Sequence, residues 1–343
     1  MNRWLVVVAA CCVFASNAVR GEDAVKTSES RIEGKVVAMS PTEVTVSQGG
    51  TNKTVPVNQI ELITFDEDPH PVRRARDAAA AGRYEDALKT LENVKVDEIE
   101  RAEIKEDVEF YTAFSSAKLA LDGKLEIREA GKQMAAFVSA HPQSYHYLEA
   151  NQVVGDLLMA LGQYAQAREY YERVGKAPWP EYKLRASVAM GRILLAEKKP
   201  AEAMKFFQHV LDTRSDAEQA RTLRMAATLG KARCLTETGE QQEAIKLCEA
   251  VIAKADPEET DLLGRAYLAL GLALKKAGKL QEAQYALLHV DTLYSAVRDV
   301  HAESLFNLAQ VWTELNKPER ALEARRTLAD QYGDTRWGRP SEK

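Results

Sequence analysis

Small residues at a fixed offset around a turn constrain this chain more than any other feature. In Tyr147–Val174, YLEANQVVGDLLMALGQYAQAREYYERV, Gly155 is followed by Gly162, Tyr164, Ala167, Tyr170 and Tyr171. At 3.6 residues per turn this reads as an amphipathic helix, a glycine-centred turn and a second amphipathic helix. Gly155 and Ala167 are small where two antiparallel helices must approach closely, and Leu158, Tyr164 and Tyr171 fill the space around that contact. A pair this size cannot bury its apolar face alone, so the unit should recur along the chain.

It does recur. Gly82-Arg83-Tyr84-Glu85-Asp86-Ala87 carries the same turn, aromatic and alanine, and Gly191 precedes Ala203, Phe206 and Phe207. The order returns at Ala232, Gly239 and Ala244, at Gly271, Gly278 and Ala283, and at Ala309, Asn316 and Ala321. A weaker copy runs through Ala117, Leu121, Ala130, Met134 and Phe137 to His141-Pro142. These residues resemble the tetratricopeptide repeat (TPR) family, with small residues at two fixed positions, a glycine turn between them and a closing proline. The resemblance covers residues 71–332 and implies a mostly α fold: a right-handed TPR α-solenoid of about seven helix pairs. The marker alanines, from Ala87 to Ala321, lie 36 to 43 residues apart. The family period is about 34, so longer helices or loops are expected. AFVSAHPQSYHYLEA is also similar to a junction in bacterial envelope repeat proteins, including outer-membrane assembly lipoproteins and Tol-Pal-associated coordinators.

Residues 1–21 read as a secretory signal peptide. Arg3 provides the positive start, Trp4–Ala15 is apolar but too short to span a bilayer, and Ser16-Asn17-Ala18 offers a cleavage site, with Gly21 a second one. Val8-Ala9-Ala10-Cys11 resembles a lipobox, which would place a lipid on Cys11, but the segment before it is short for a lipoprotein signal. Plain cleavage and a secreted or periplasmic location are therefore expected, with membrane association only if the chain is lipidated. Cys234 and Cys248 then remain, on the two helices of one repeat, read as small buried hydrophobes with a disulfide as the alternative.

Residues 22–29 read as a linker and 30–68 as a small β module. Val44/Val46, Val55/Val57 and Ile63/Phe65 alternate as half-buried strands do, and Gln48-Gly49-Gly50-Thr51-Asn52 signals a hairpin. The stretch resembles an SH3-like or Sm-like mini-barrel, to judge by its strand lengths and its VPVNQIELITF ending. Few basic residues and no aromatic platform argue against RNA, and capping of the solenoid end is the expected role. At the other end, 333–343 reads as a flexible tail, with Trp337 docked on the last helix pair.

Catalytic signatures are missing: there is no P-loop, GxGxxG, HExxH or GxSxG, and the histidines are scattered. No enzyme activity, metal or cofactor is expected. A net charge of −5 gives no general reason to expect nucleic acid. Repeat arrays instead present a concave surface made by the first helix of each pair. The resemblance places Arg185, Arg192, Arg233, Arg265, Leu268, Lys275, Lys276 and Phe306 on that surface, a basic groove with apolar patches. Such a groove would suit an extended protein or peptide with acidic and aliphatic side chains. The lysine and asparagine of the carboxylate-clamp subset are replaced by Val188/Arg192, Leu229/Arg233 and Leu268/Leu272. The expected function is a non-catalytic scaffold of the cell envelope. An outer-membrane lipoprotein of envelope assembly, and an adaptor binding RNA or glycan through the β module, are the alternatives.

Overall fold

The structure, a computed structural model, describes residues 22–214 and 218–338. The leader reading, with Cys11, falls outside them, as do 339–343.

The chain enters as a strand rather than a linker. β1 (Asp23–Thr27) is followed by β2 (Arg31–Met39), β3 (Glu43–Gln48), β4 (Thr51–Pro56) and β5 (Ile60–Thr64), in sheet order β4-β3-β2-β1-β5. All neighbours are antiparallel, and Val25 pairs with Ile32 on one side and Ile63 on the other. The expected linker over 22–29 is thus corrected: most of it, Asp23–Thr27, is an interior strand that ties β5 into the sheet. DAVKT has too short an apolar alternation to announce itself, because its burial comes from strands on both flanks.

Asp23 is 2% exposed. It accepts the Val36 and Asp66 amides, both at 2.7 Å, and a two-armed ion pair from Arg101 at 2.6 and 2.8 Å. Burial alone would raise its pKa, but Arg101 and the two amides outweigh burial and hold the carboxyl below its ordinary value.

Fourteen α-helices follow among the described residues, in seven successive pairs. They are α1 (His70–Ala80) and α2 (Tyr84–Leu91), α3 (Ala102–Leu121) and α4 (Ile127–Ala140), α5 (Tyr147–Ala160) and α6 (Tyr164–Gly175), and α7 (Pro180–Ala196) and α8 (Pro200–Asp212). The last three pairs are α9 (Glu218–Thr238) and α10 (Gln241–Ile252), α11 (Thr260–Lys276) and α12 (Leu280–Leu293), and α13 (Arg298–Glu314) and α14 (Pro318–Tyr332). The turn inside each pair needs one left-handed residue to end the first helix. Gly162 provides it with φ 75°, and Gln163 N–H then bonds the Leu158 carbonyl at 2.8 Å. In two pairs the same position is not glycine: Lys198 and Asn316 take φ values of 60° and 57°.

The small residues seat aromatic rings. A Cβ on Gly155 would lie 2.8 Å from the Tyr171 ring, so only glycine admits this approach of α5 and α6. Phe207 of α8 wedges between two helices, 2.6 Å from a Cβ at Gly191 of α7 and 2.3 Å from one at Gly230 of α9. Cys234 and Cys248 are both fully buried free thiols, and burial pushes each up to about 12.

The sheet is built into the helical array. Ile32, Val36, Val44, Val46, Val55, Ile63 and Phe65 share one core with Val72 and Ala75 of α1, Ile104 and Val108 of α3, and Tyr145. Arg76, 1% exposed, binds Asp68 with both terminal nitrogens and Asp107 through Nε at 2.7 Å. Burial would lower its pKa, but Asp107 and Asp68 outweigh it and raise it. His146 adds a 3.1 Å contact from Nε2 to Asp107. Farther along the array, Trp179 packs on the sheet core and Asn58 donates to Glu181 of α7 at 2.7 Å. A buried charge network of this kind is destabilising to break from one side, so it locks sheet and helices together.

Candidate functional site

Odd-numbered helices pack on one another, α1 on α3, α3 on α5, α7 on α9, α9 on α11 and α11 on α13, and among the described residues no two even-numbered helices make a comparable contact. Helices that crowd together lie on the inside of a curve, so the odd-numbered set lines the concave face. α5 and α7 are the exception among these neighbours, because their packing is carried by α6 between them. Side chains bridge the resulting gap: Arg185 of α7 donates to Gln152 of α5 at 2.8 Å and lies 5.3 Å from the Tyr182 ring centre.

Deeper in the gap, Tyr171 donates its hydroxyl to Asp156 of α5 at 2.5 Å. Burial raises the pKa of Asp156 against the opposing pull of Tyr171, Lys118, Arg192 and Arg265. Arg192 faces this group from α7. It is half-buried and, among the described residues, has no hydrogen bond or ion pair. Burial and then Arg265 lower its pKa, yet a guanidinium stays charged. The gap therefore holds an incompletely compensated cation beside the half-buried carboxyl group of Asp156, with Tyr171 as an aromatic wall.

Most of the other basic residues expected in the groove are already neutralised by the chain itself. Arg265 is held by Asp261 at 2.9 Å and by Asp299 of α13 at 2.8 Å, which together outweigh burial and raise its pKa. Arg233 of α9 pairs with Glu303 of α13 at 2.5 Å. Lys275 bonds Asn307 at 3.0 Å and also Gln310, and burial lowers its pKa. Lys276 is exposed, 3.9 Å from Glu237. Leu268 is corrected outright: at 3% exposure it belongs to the core and offers nothing to a partner, as do Val188 and Leu229 at 4%. A family position marks the inner helix, but in a tightly curved array the next odd-numbered helix covers it.

Phe306 of α13 is half-covered by Trp337, with ring centres 5.1 Å apart. Trp337 joins the last core cluster, and Thr335 anchors its approach by donating to the Tyr332 carbonyl at 2.7 Å. The expected flexible tail over 333–343 is therefore folded back as far as Gly338. Sequence reasoning missed Gln152, Asp156 and Tyr182, whose role depends on the gap between α5 and α7. An aspartate one residue after Gly155 was the available signal.

A family model described as tetratricopeptide repeat matches residues 158–226. The TPR repeat-containing protein YsoA of Bacillus subtilis (strain 168) is 29% identical over 161 residues, 46% of this chain. The match spans 42% of the length of that relative. Among solved structures, a tetratricopeptide repeat protein from Parabacteroides merdae superposes with a TM-score of 0.52 at 15% identity, over 76% of this chain and 92% of that one. A Rap protein complexed with competence and sporulation factor gives 0.55 at 13% identity, over 78% and 76%. NprR in complex with its cognate peptide NprX gives 0.53 at 14% identity, over 78% and 80%.

Proposed function

The chain is a tetratricopeptide repeat protein, and from that premise we propose that it is a non-catalytic scaffold which holds an extended protein or peptide against its concave face. The observation that carries the reading is the gap between α5 and α7, where Arg192, without an ion-pair partner among the described residues, faces Asp156 and Tyr171. A partner segment with one acidic side chain for Arg192 and flanking aliphatic groups fits this surface better than a uniformly acidic one, since Arg233 and Arg265 are already paired. The Rap and NprR structures, solved with a bound factor and a peptide, support the use of such an array for peptide capture.

The working location in this proposal is the cell envelope, reached through the leader at residues 1–21. Mass spectrometry of the N-terminus from fractionated cells tests it. A mature start after Ala18 or Gly21 fits export with plain cleavage, a lipid on Cys11 fits a membrane-anchored lipoprotein, and an intact Met1 in the cytoplasm overturns it.

Affinity capture from envelope extracts with the wild-type chain, followed by titration of the purified partner, tests the groove. Arg192→Glu should weaken the interaction about tenfold or more, the scale of one charge pair lost and one repulsion gained. Unchanged affinity would remove the gap as the working surface. Changing Arg233 or Arg265 to glutamate is a poorer test, because either change breaks an ion pair within the array.

A further inference from the structure

The helical array closes on itself. Arg336, beyond α14, donates Nη1 to the Tyr164 hydroxyl at 3.0 Å across 172 positions of the chain. Arg298, at the start of α13, lies so close to the α3–α4 turn that a Cβ on Gly123 would sit 2.5 Å from its guanidinium carbon. Both contacts join the last pair to the turns within the second and third pairs. They are independent in sequence and agree in geometry, so the curve returns on itself within five to six pairs.

We propose that residues 334–338 form an intramolecular clasp that holds this ring shut and governs access to the concave face. Its parts interlock. Asp334 accepts Arg298 at 2.5 Å, and Arg298 lies 4.8 Å from the Tyr332 ring centre. Arg336 stacks over Trp337 at 4.2 Å while reaching Tyr164, and Trp337 covers Phe306, one of the side chains expected to meet a partner. The Trp337 and Gly338 amides both point to the Thr335 hydroxyl at 3.3 Å, which fixes the segment as a compact turn.

The strength of the clasp suits a gate. Arg336 is exposed and Tyr164 half-exposed, and an exposed polar contact of this kind contributes little beside a core interface. It can therefore release while the helix pairs stay folded, with the small change in curvature spread over successive pairs. A partner that draws Trp337 off Phe306 would open the ring as it binds. This regulatory consequence rests on the concave face being the working surface, whereas the clasp itself does not.

The test is a labelling rate in the absence of any partner. A reporter thiol is placed in the gap by Arg192→Cys in the full-length chain, with Cys11 and Cys12 changed to serine. Cys234 and Cys248 are buried with raised pKa and stay silent. Reaction with a bulky polymer-linked maleimide should be slow, and Tyr164→Phe or Arg336→Ala should each speed it about fivefold. Combining the two should add little, because both remove the same bond. Arg320→Ala, on the exposed face of α14, should leave the rate unchanged. Equal rates in all variants, or acceleration by Arg336→Ala but not by Tyr164→Phe, would overturn the clasp. Failure here leaves the peptide reading standing, and failure to capture a partner leaves the clasp standing.

Discussion

Arg233 of α9 and Glu303 of α13 meet at 2.5 Å, so two inner helices bond directly past α11, the inner helix between them. Glu303 is 8% exposed at its side chain and Arg233 34%. The pair both tightens the curve of the array and removes a charge from its concave face.

Removing the arginine leaves a buried carboxylate without its partner. Arg233→Ala should destabilise the protein by about 2–3 kcal/mol, somewhat less than the ~3–5 kcal/mol of a fully buried broken pair because the arginine is partly solvated. The exchange Arg233→Glu with Glu303→Arg should recover most of that loss. Urea denaturation of the three variants checks it, and a double variant no better than the worse single one would show that the pair contributes no pairwise energy.

The Phe207 wedge gives a steric prediction. Gly230→Ala places a methyl group 2.3 Å from the Phe207 ring, and overpacking of this degree costs about 1–3 kcal/mol. Phe207→Leu in the same chain should relieve part of the cost, although Phe207→Leu alone destabilises by opening a cavity. Thermal unfolding of the two single variants and the double variant reads the coupling directly.

The lowered pKa of Asp23 sets a pH window. The unfolded carboxyl titrates near its ordinary value of 3.8, and the folded one lies below it. Folding then favours the deprotonated form, so the contribution is complete above the unfolded value and is lost as pH falls through the folded one. Asp23→Asn should lower stability by about 2 kcal/mol at pH 7. The gap between variant and parent should narrow below about pH 4. Chemical denaturation at pH 7, 4 and 3 checks this, and a gap that stays constant with pH would show that the Arg101 pair does not carry the effect.

Lys198 occupies the turn position that glycine fills in Gly162 and Gly278, and does so at φ 60°. A side chain in the left-handed region costs about 1 kcal/mol. Lys198→Gly should therefore stabilise the protein, by somewhat less than that amount because glycine also gains freedom in the unfolded chain. A higher thermal midpoint is the expected reading, and a lower one would place the Lys198 side chain in a stabilising contact.

Sequence reasoning captured what is local and periodic. Gly155 against Tyr171, the alanines that face them and the turn at Gly162 are written in spacing, because two antiparallel helices joined by a short turn depend on few residues close in the chain. The strands of β2 to β5 were legible for the same reason: alternation is a property of neighbours. What escaped depended on distant partners. Asp23 looks like linker until Arg101 and two amides surround it, and Leu268 looks like groove until the curvature buries it. Arg192 and Arg265 carry the same charge on inner helices, yet Asp299 neutralises one and leaves the other in the gap. The repeat period dictates that helices will stack. How far each pair rotates on the last is set by packing such as Phe207 between Gly191 and Gly230, summed over the array, and that sum alone decides which charges meet and where the chain closes on itself.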